Sequence, residues 1–143
     1  MKKTKQLCAY CFLFFCCILF ASCSKDVAEV SINSSSHFLA SKTWYLDYTQ
    51  SITNAGTITK NFIGQPTYYI SFLTDLSTED SDGITGTYAI ERPNNQLQIH
   101  VKAHTTNGNP IEYIYSIESI GDKNLVLSYN SSNTITKQFY STK

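Results

Sequence analysis

Gln96-Leu97-Gln98-Ile99-His100-Val101-Lys102 alternates polar and apolar side chains without a break. A period of two turns one row of side chains toward a core and the other toward water, so the stretch is a half-buried strand and not a helix. Working outward, segments 43–49, 57–63, 68–74, 84–91, 111–120, 124–129 and 134–140 carry the same reading with varying clarity. Each is rich in Ile, Thr, Tyr or Phe, the residues that fit a pleated surface. Between them lie turn formers: Gly64-Gln65-Pro66, Asp82-Gly83, Pro93-Asn94-Asn95, Asn107-Gly108-Asn109-Pro110, Gly121-Asp122-Lys123-Asn124 and Asn130-Ser131-Ser132-Asn133. Connections this short join neighbouring antiparallel strands. The expectation is all-β: a single eight-stranded antiparallel up-and-down barrel, with a two-sheet β-sandwich as the alternative that uses the same strands.

The amino terminus has a different character. Lys2, Lys3 and Lys5 precede an unbroken apolar run from Leu7 to Ala21, followed by Ser22 and Cys23. A basic start, an apolar stretch and small residues at its end are the parts of an export signal. The run is 15 residues, whereas a bilayer-spanning helix takes roughly 20. Phe20-Ala21-Ser22-Cys23 resembles the bacterial lipobox, with Phe20 where that motif usually has Leu. The resemblance implies cleavage after Ser22 and acylation of Cys23, and two or three fatty chains at ~0.8 kcal/mol per buried methylene anchor a protein stably. It also implies an outer-membrane lipid anchor, at the cell surface or the periplasmic face; Ser24-Lys25-Asp26 is similar to short surface-export signals of Bacteroidetes lipoproteins. All five cysteines lie at or before position 23, so the folded domain has no thiol for a disulfide, a metal or a nucleophile.

Removing 1–22 leaves eight basic against eleven acidic side chains, a mildly acidic domain that argues against a phosphate-backbone partner. Nucleic acid is excluded on that ground and by compartment. Residues 23–36, with Ser31, Asn33, Ser34, Ser35 and Ser36, suit a flexible tether, and 37–41 a single helical turn. Residues 37–143 form the one expected domain, with a lean core.

That domain resembles the lipocalin-like domains of Bacteroidetes lipoproteins in Trp44-Tyr45-Leu46, in Tyr69-Ile70-Ser71-Phe72 leading into an acidic loop, and in Gly86-Thr87-Tyr88-Ala89-Ile90. Gln96-Leu97-Gln98-Ile99, Tyr113-Ile114-Tyr115-Ser116-Ile117 and Asn124-Leu125-Val126-Leu127 continue the likeness. It departs where Lys42 stands in place of the Gly two residues before the tryptophan, and no basic partner for Trp44 is evident beyond Arg92 or Lys137. The resemblance implies that Trp44, on one strand face with Leu46 and Tyr48, plugs the closed end of a barrel. It further implies that the barrel binds a small hydrophobic or amphipathic molecule. Alternation then nominates Phe72, Tyr88, Ile99, Tyr113, Tyr115 and Leu127 as the inward, ligand-facing set.

Other chemistries find little purchase. Asp75, Glu79, Asp80 and Asp82 crowd one loop, but without the mid-loop glycine and terminal glutamate of a calcium loop, so it reads as a solvated hairpin tip. His100 and His104 stand about 13 Å apart along a strand and read as exposed polar residues. No nucleophile elbow, zinc helix or phosphate-binding glycine loop occurs, so no catalytic residue, metal or cofactor is expected. The alternative function is a surface interaction module, contacting glycan or a partner protein through exposed aromatics such as Tyr45 with Tyr68 or Tyr69.

Overall fold

The computed structural model describes residues 24–65 and 67–143; the expected signal segment, its cleavage site and Cys23 lie outside the described residues. Two compact units divide after Ser31, and the second, Ile32–Lys143, contains every strand. Helix α1 (Ser24–Leu39) precedes nine strands: β1 (Lys42–Thr53), β2 (Gly56–Asn61), β3 (Tyr69–Phe72), β4 (Ser77–Asp80), β5 (Thr85–Glu91), β6 (Gln98–His104), β7 (Pro110–Ile120), β8 (Asn124–Ser131) and β9 (Thr134–Ser141). The stretch expected as a tether is thus helical. Within its last turns the Ser36 hydroxyl donates to the Ile32 carbonyl at 3.0 Å, which satisfies a serine inside the helix. Leu39 at its end is fully buried, so packing overrides serine's weak propensity.

All pairings are antiparallel, and β1 pairs with both β3 and β9, closing an eight-stranded barrel of β1 and β3 to β9. One expected stave and one expected turn exchange roles. β2 lies outside the ring, hydrogen-bonded only to the second half of β1 and exposed along its whole length. The eighth stave is β4, inside the acidic loop expected to be a solvated tip. Thr78 explains the difference: it is buried, and its hydroxyl donates to the Ser71 carbonyl at 2.9 Å, so a strand with no apolar residue still docks into the wall.

β1 and β7 are longer than one neighbour can cover. Residues 42–45 of β1 pair with β3, and residues 48–53 pair with β2. Likewise β7 pairs with β6 over 110–116 and with β8 over 116–120. A bulge at Asp47 and another at Glu118 accompany these changes of partner. Each bulged carboxylate takes a serine hydroxyl, Asp47 from Ser141 at 3.0 Å and Glu118 from Ser128 at 2.6 Å. The Asp47 bulge also reverses the face of Tyr48. Trp44 and Leu46 join the core, but Tyr48 turns out to stack on Phe139 at 4.2 Å, against the expectation that all three share one face.

The closed end is filled by Leu39, Trp44, Phe72, Tyr88 and Leu125, all buried. The Trp44 indole N–H donates to the Leu39 carbonyl at 3.1 Å, tying helix to barrel. Its basic partner is Lys42, whose Nζ lies 5.6 Å from the Trp44 ring and 2.7 Å from Asp122, rather than Arg92 or Lys137. On the wall, Gly86 faces Ala103 across β5 and β6, where an added Cβ would fall against the Lys102 carbonyl oxygen and 2.5 Å from the Ala103 Cα. Gly86→Ala should therefore cost at least ~2 kcal/mol through forced separation of two staves. A urea midpoint within error of the parent's would contradict this.

Candidate functional site at the barrel mouth

All six inward-facing residues named from alternation belong to the interior cluster. Phe72, Tyr88, Ile99 and Leu127 are buried within it, and Tyr113 and Tyr115 pack against it. Of the six, Tyr113 and Tyr115 line the cavities described below. The first four are packing elements of the filled end, where Phe72 and Tyr88 meet edge to face at 5.0 Å and the Tyr88 hydroxyl donates to the Leu73 carbonyl at 2.9 Å. Open space begins higher, at Tyr115, where β1 has left β3 and β8 has left β7.

There a cavity of about 140 Å³ opens at the mouth. Leu46 and Ile70 give it apolar walls, Tyr68, Tyr115 and Tyr140 give it rings, Tyr69 adds its edge, and Asp80, Ser81, Asp82 and Gln138 give it polar groups. A gap of about 20 Å³ beside Ile70, Asp80 and Tyr115 reaches to Val101 and Tyr113. Space of this order takes a benzene-sized ring, and is well short of the roughly 300 Å³ of a drug-sized pocket. Broader, more open hollows flank Lys42 and Lys143 at the closed end and the β6–β7 hairpin at Lys102, Pro110, Ile111 and Glu112.

The geometry of the mouth follows from the strands. Ile70 and Asp80 are direct partners on β3 and β4, so Asp80 points inward beside an isoleucine. Its Oδ1 accepts the backbone N–H groups of Asp82 at 2.9 Å and Ile84 at 3.0 Å, which fixes the β4–β5 turn. Desolvation raises the Asp80 carboxyl above its ordinary range even though these two hydrogen bonds pull it down. Gln138 pairs with Leu127 on β8, and its side-chain oxygen is enclosed with no hydrogen-bond partner. Burial, and then neighbouring phenols, push the Tyr115 and Tyr140 hydroxyls far above their usual value, so both rings stay neutral. Tyr115 stacks on Tyr113 at 5.8 Å and meets Tyr129 edge-on at 5.9 Å, bridging the separation between β7 and β8.

Sequence reading found Tyr115 but missed Asp80 and Gln138, because polar residues at inward positions look like the outward row. His100 is not simply exposed: its ring nitrogens lie 2.6 Å from Glu112 and 3.8 Å from Glu91 on the outer wall. The molecule is defined by this architecture, a small antiparallel barrel with a plugged end and an aromatic, acidic mouth. No family model, curated protein or solved structure matches the chain.

Proposed function

We propose that this chain is a lipocalin-like bacterial lipoprotein, tethered through acylated Cys23 to the outer membrane, whose barrel holds a small amphipathic molecule at its mouth and performs no chemistry on it. The observation carrying the binding role is the mouth cavity, in which rings and polar groups from β3, β4, β7, β9 and the β4–β5 turn meet while the opposite end is packed solid. The anchoring role is carried by the lipobox-like Phe20-Ala21-Ser22-Cys23 after a short apolar run. In cells fed labelled palmitate, the protein should take up label and lose residues 1–22, and Cys23→Ala should do neither. Label retained by Cys23→Ala would overturn the anchor. For cargo, native mass spectrometry of protein from its own host should show a retained small molecule.

A second reading, an interaction module, is favoured by the outer wall near β2. Tyr45 and Tyr69 rings lie 6.3 Å apart there, and Ile58 and Ile63 are 74% and 67% exposed. Loss of a surface partner on Ile58→Asp, with the mouth untouched, would favour it.

A further inference from the structure

We propose that the mouth cavity is selective for a small organic cation, a protonated amine carried on an aromatic ring or a short apolar body. This rests on the reading of the mouth as the ligand site and names the class of ligand.

Beside the hydroxyls of Ser81 and the lining tyrosines, which can either give or take a hydrogen bond, the cavity holds groups that can only accept. Asp80 commits one oxygen to two N–H groups and keeps the other, Asp82 adds a second carboxylate at the rim, and Gln138 lines the cavity with its carbonyl oxygen unpartnered and enclosed in the wall. These groups call for a donor, and a carboxylate with a neutral acceptor calls for a charged one. Among the described residues no Lys, Arg or His lines the cavity. Carboxylates elsewhere in the domain have such partners: Asp122 has Lys42 at 2.7 Å, Glu112 has His100 at 2.6 Å, and Glu118 has Lys137 at 3.5 Å. Asp80 is a half-buried carboxylate left without one, as is Asp47, but of the two only Asp80 lines the cavity.

The walls suit the same guest. Faces of Tyr rings attract cations within about 6 Å, more so where water is excluded. Leu46 and Ile70 supply a surface for an apolar body, and the small volume restricts that body to one ring or a few carbons. An anion of equal size would meet two like charges, and a neutral alcohol would leave Asp80 uncompensated.

The test compares three probes of one shape, benzylammonium, benzyl alcohol and benzoate. Each is titrated calorimetrically at neutral pH into protein made from the full 143-residue chain. Benzylammonium should bind at least ~10-fold more tightly than benzyl alcohol, with no benzoate binding. Asp80→Asn keeps an oxygen for the two N–H groups and removes a desolvated charge. It should fold at least as stably as the parent and lose most of the preference; Asp82→Asn should reduce the preference more weakly. Equal binding of amine and alcohol, tighter binding of benzoate, or a preference that survives Asp80→Asn would each overturn the cation assignment while leaving a binding mouth. Failure of all three probes to bind would overturn the binding mouth as well.

Discussion

Trp44→Ala should cost about 4 kcal/mol, roughly a quarter or more of the total stability expected of a domain this size. The side chain is wholly buried at the plugged end among Leu39, Phe72 and Leu125, so truncation leaves a cavity that helix and barrel cannot both close on. It also strips the Leu39 carbonyl of its donor at 3.1 Å and Lys42 of the ring beneath it. Trp44→Phe separates these terms: it keeps most of the volume, loses the hydrogen bond, and should cost about 1–2 kcal/mol. Since Trp44 is the sole tryptophan, circular dichroism is the natural readout for both variants. A loss under 1 kcal/mol for Trp44→Ala in urea unfolding would mean that the end is not sealed by this residue.

Raising the pH should unfold the protein steeply from about pH 10 upward. Burial lifts the phenols of Tyr115 and Tyr140 far above 10.0, and those of Tyr88 and Tyr113 in the same direction. The sign follows from linkage. Below pH 10 both folded and unfolded chains hold these protons, and stability is unaffected. Above it the unfolded chain releases them while the folded chain does not, so each strongly shifted phenol removes about 1.4 kcal/mol per pH unit. Tyr115 and Tyr140 together make the slope about twice that, enough to exhaust a stability of 5–15 kcal/mol within a few pH units. Phenolate absorbance should rise cooperatively with loss of circular dichroism, and Tyr115→Phe should make the decline shallower. Free titration of every tyrosine near pH 10 in a still-folded protein would refute the burial of these groups.

Strict alternation made much of the barrel legible, because every wall strand with both an apolar and a polar row announces its inward face. It identified Ile99 and Val101 on β6, Tyr113 and Tyr115 on β7, and Leu127 on β8 as inward-facing. The rest was hidden for particular reasons. Ser77–Asp80 has no apolar residue, so its role as a stave rests on one buried threonine hydroxyl that no pattern marks. Tyr48 changed face because Asp47 inserts an extra residue, and period-two reading assumes none. Serines at 31 and 34–36 imitate a tether, although the helix they belong to ends in a buried leucine. At the mouth, Asp80 and Gln138 occupy inward positions with polar side chains. Binary patterning reads such positions as water-facing, and only three-dimensional closure reveals them.

The placement of β2 bears on how many copies can crowd together. Each stave of the ring has a neighbour on both sides over at least part of its length, whereas β2 has only β1 beside it and an open outer flank. Such a flank is a template on which a second chain can add a strand and seed aggregation. Here it is only six residues, Gly56-Thr57-Ile58-Thr59-Lys60-Asn61, with a glycine at one end and a lysine near the other. Molecules packed side by side would therefore meet at β2 through a short, charged template. Neutralising Lys60 removes its only formal charge.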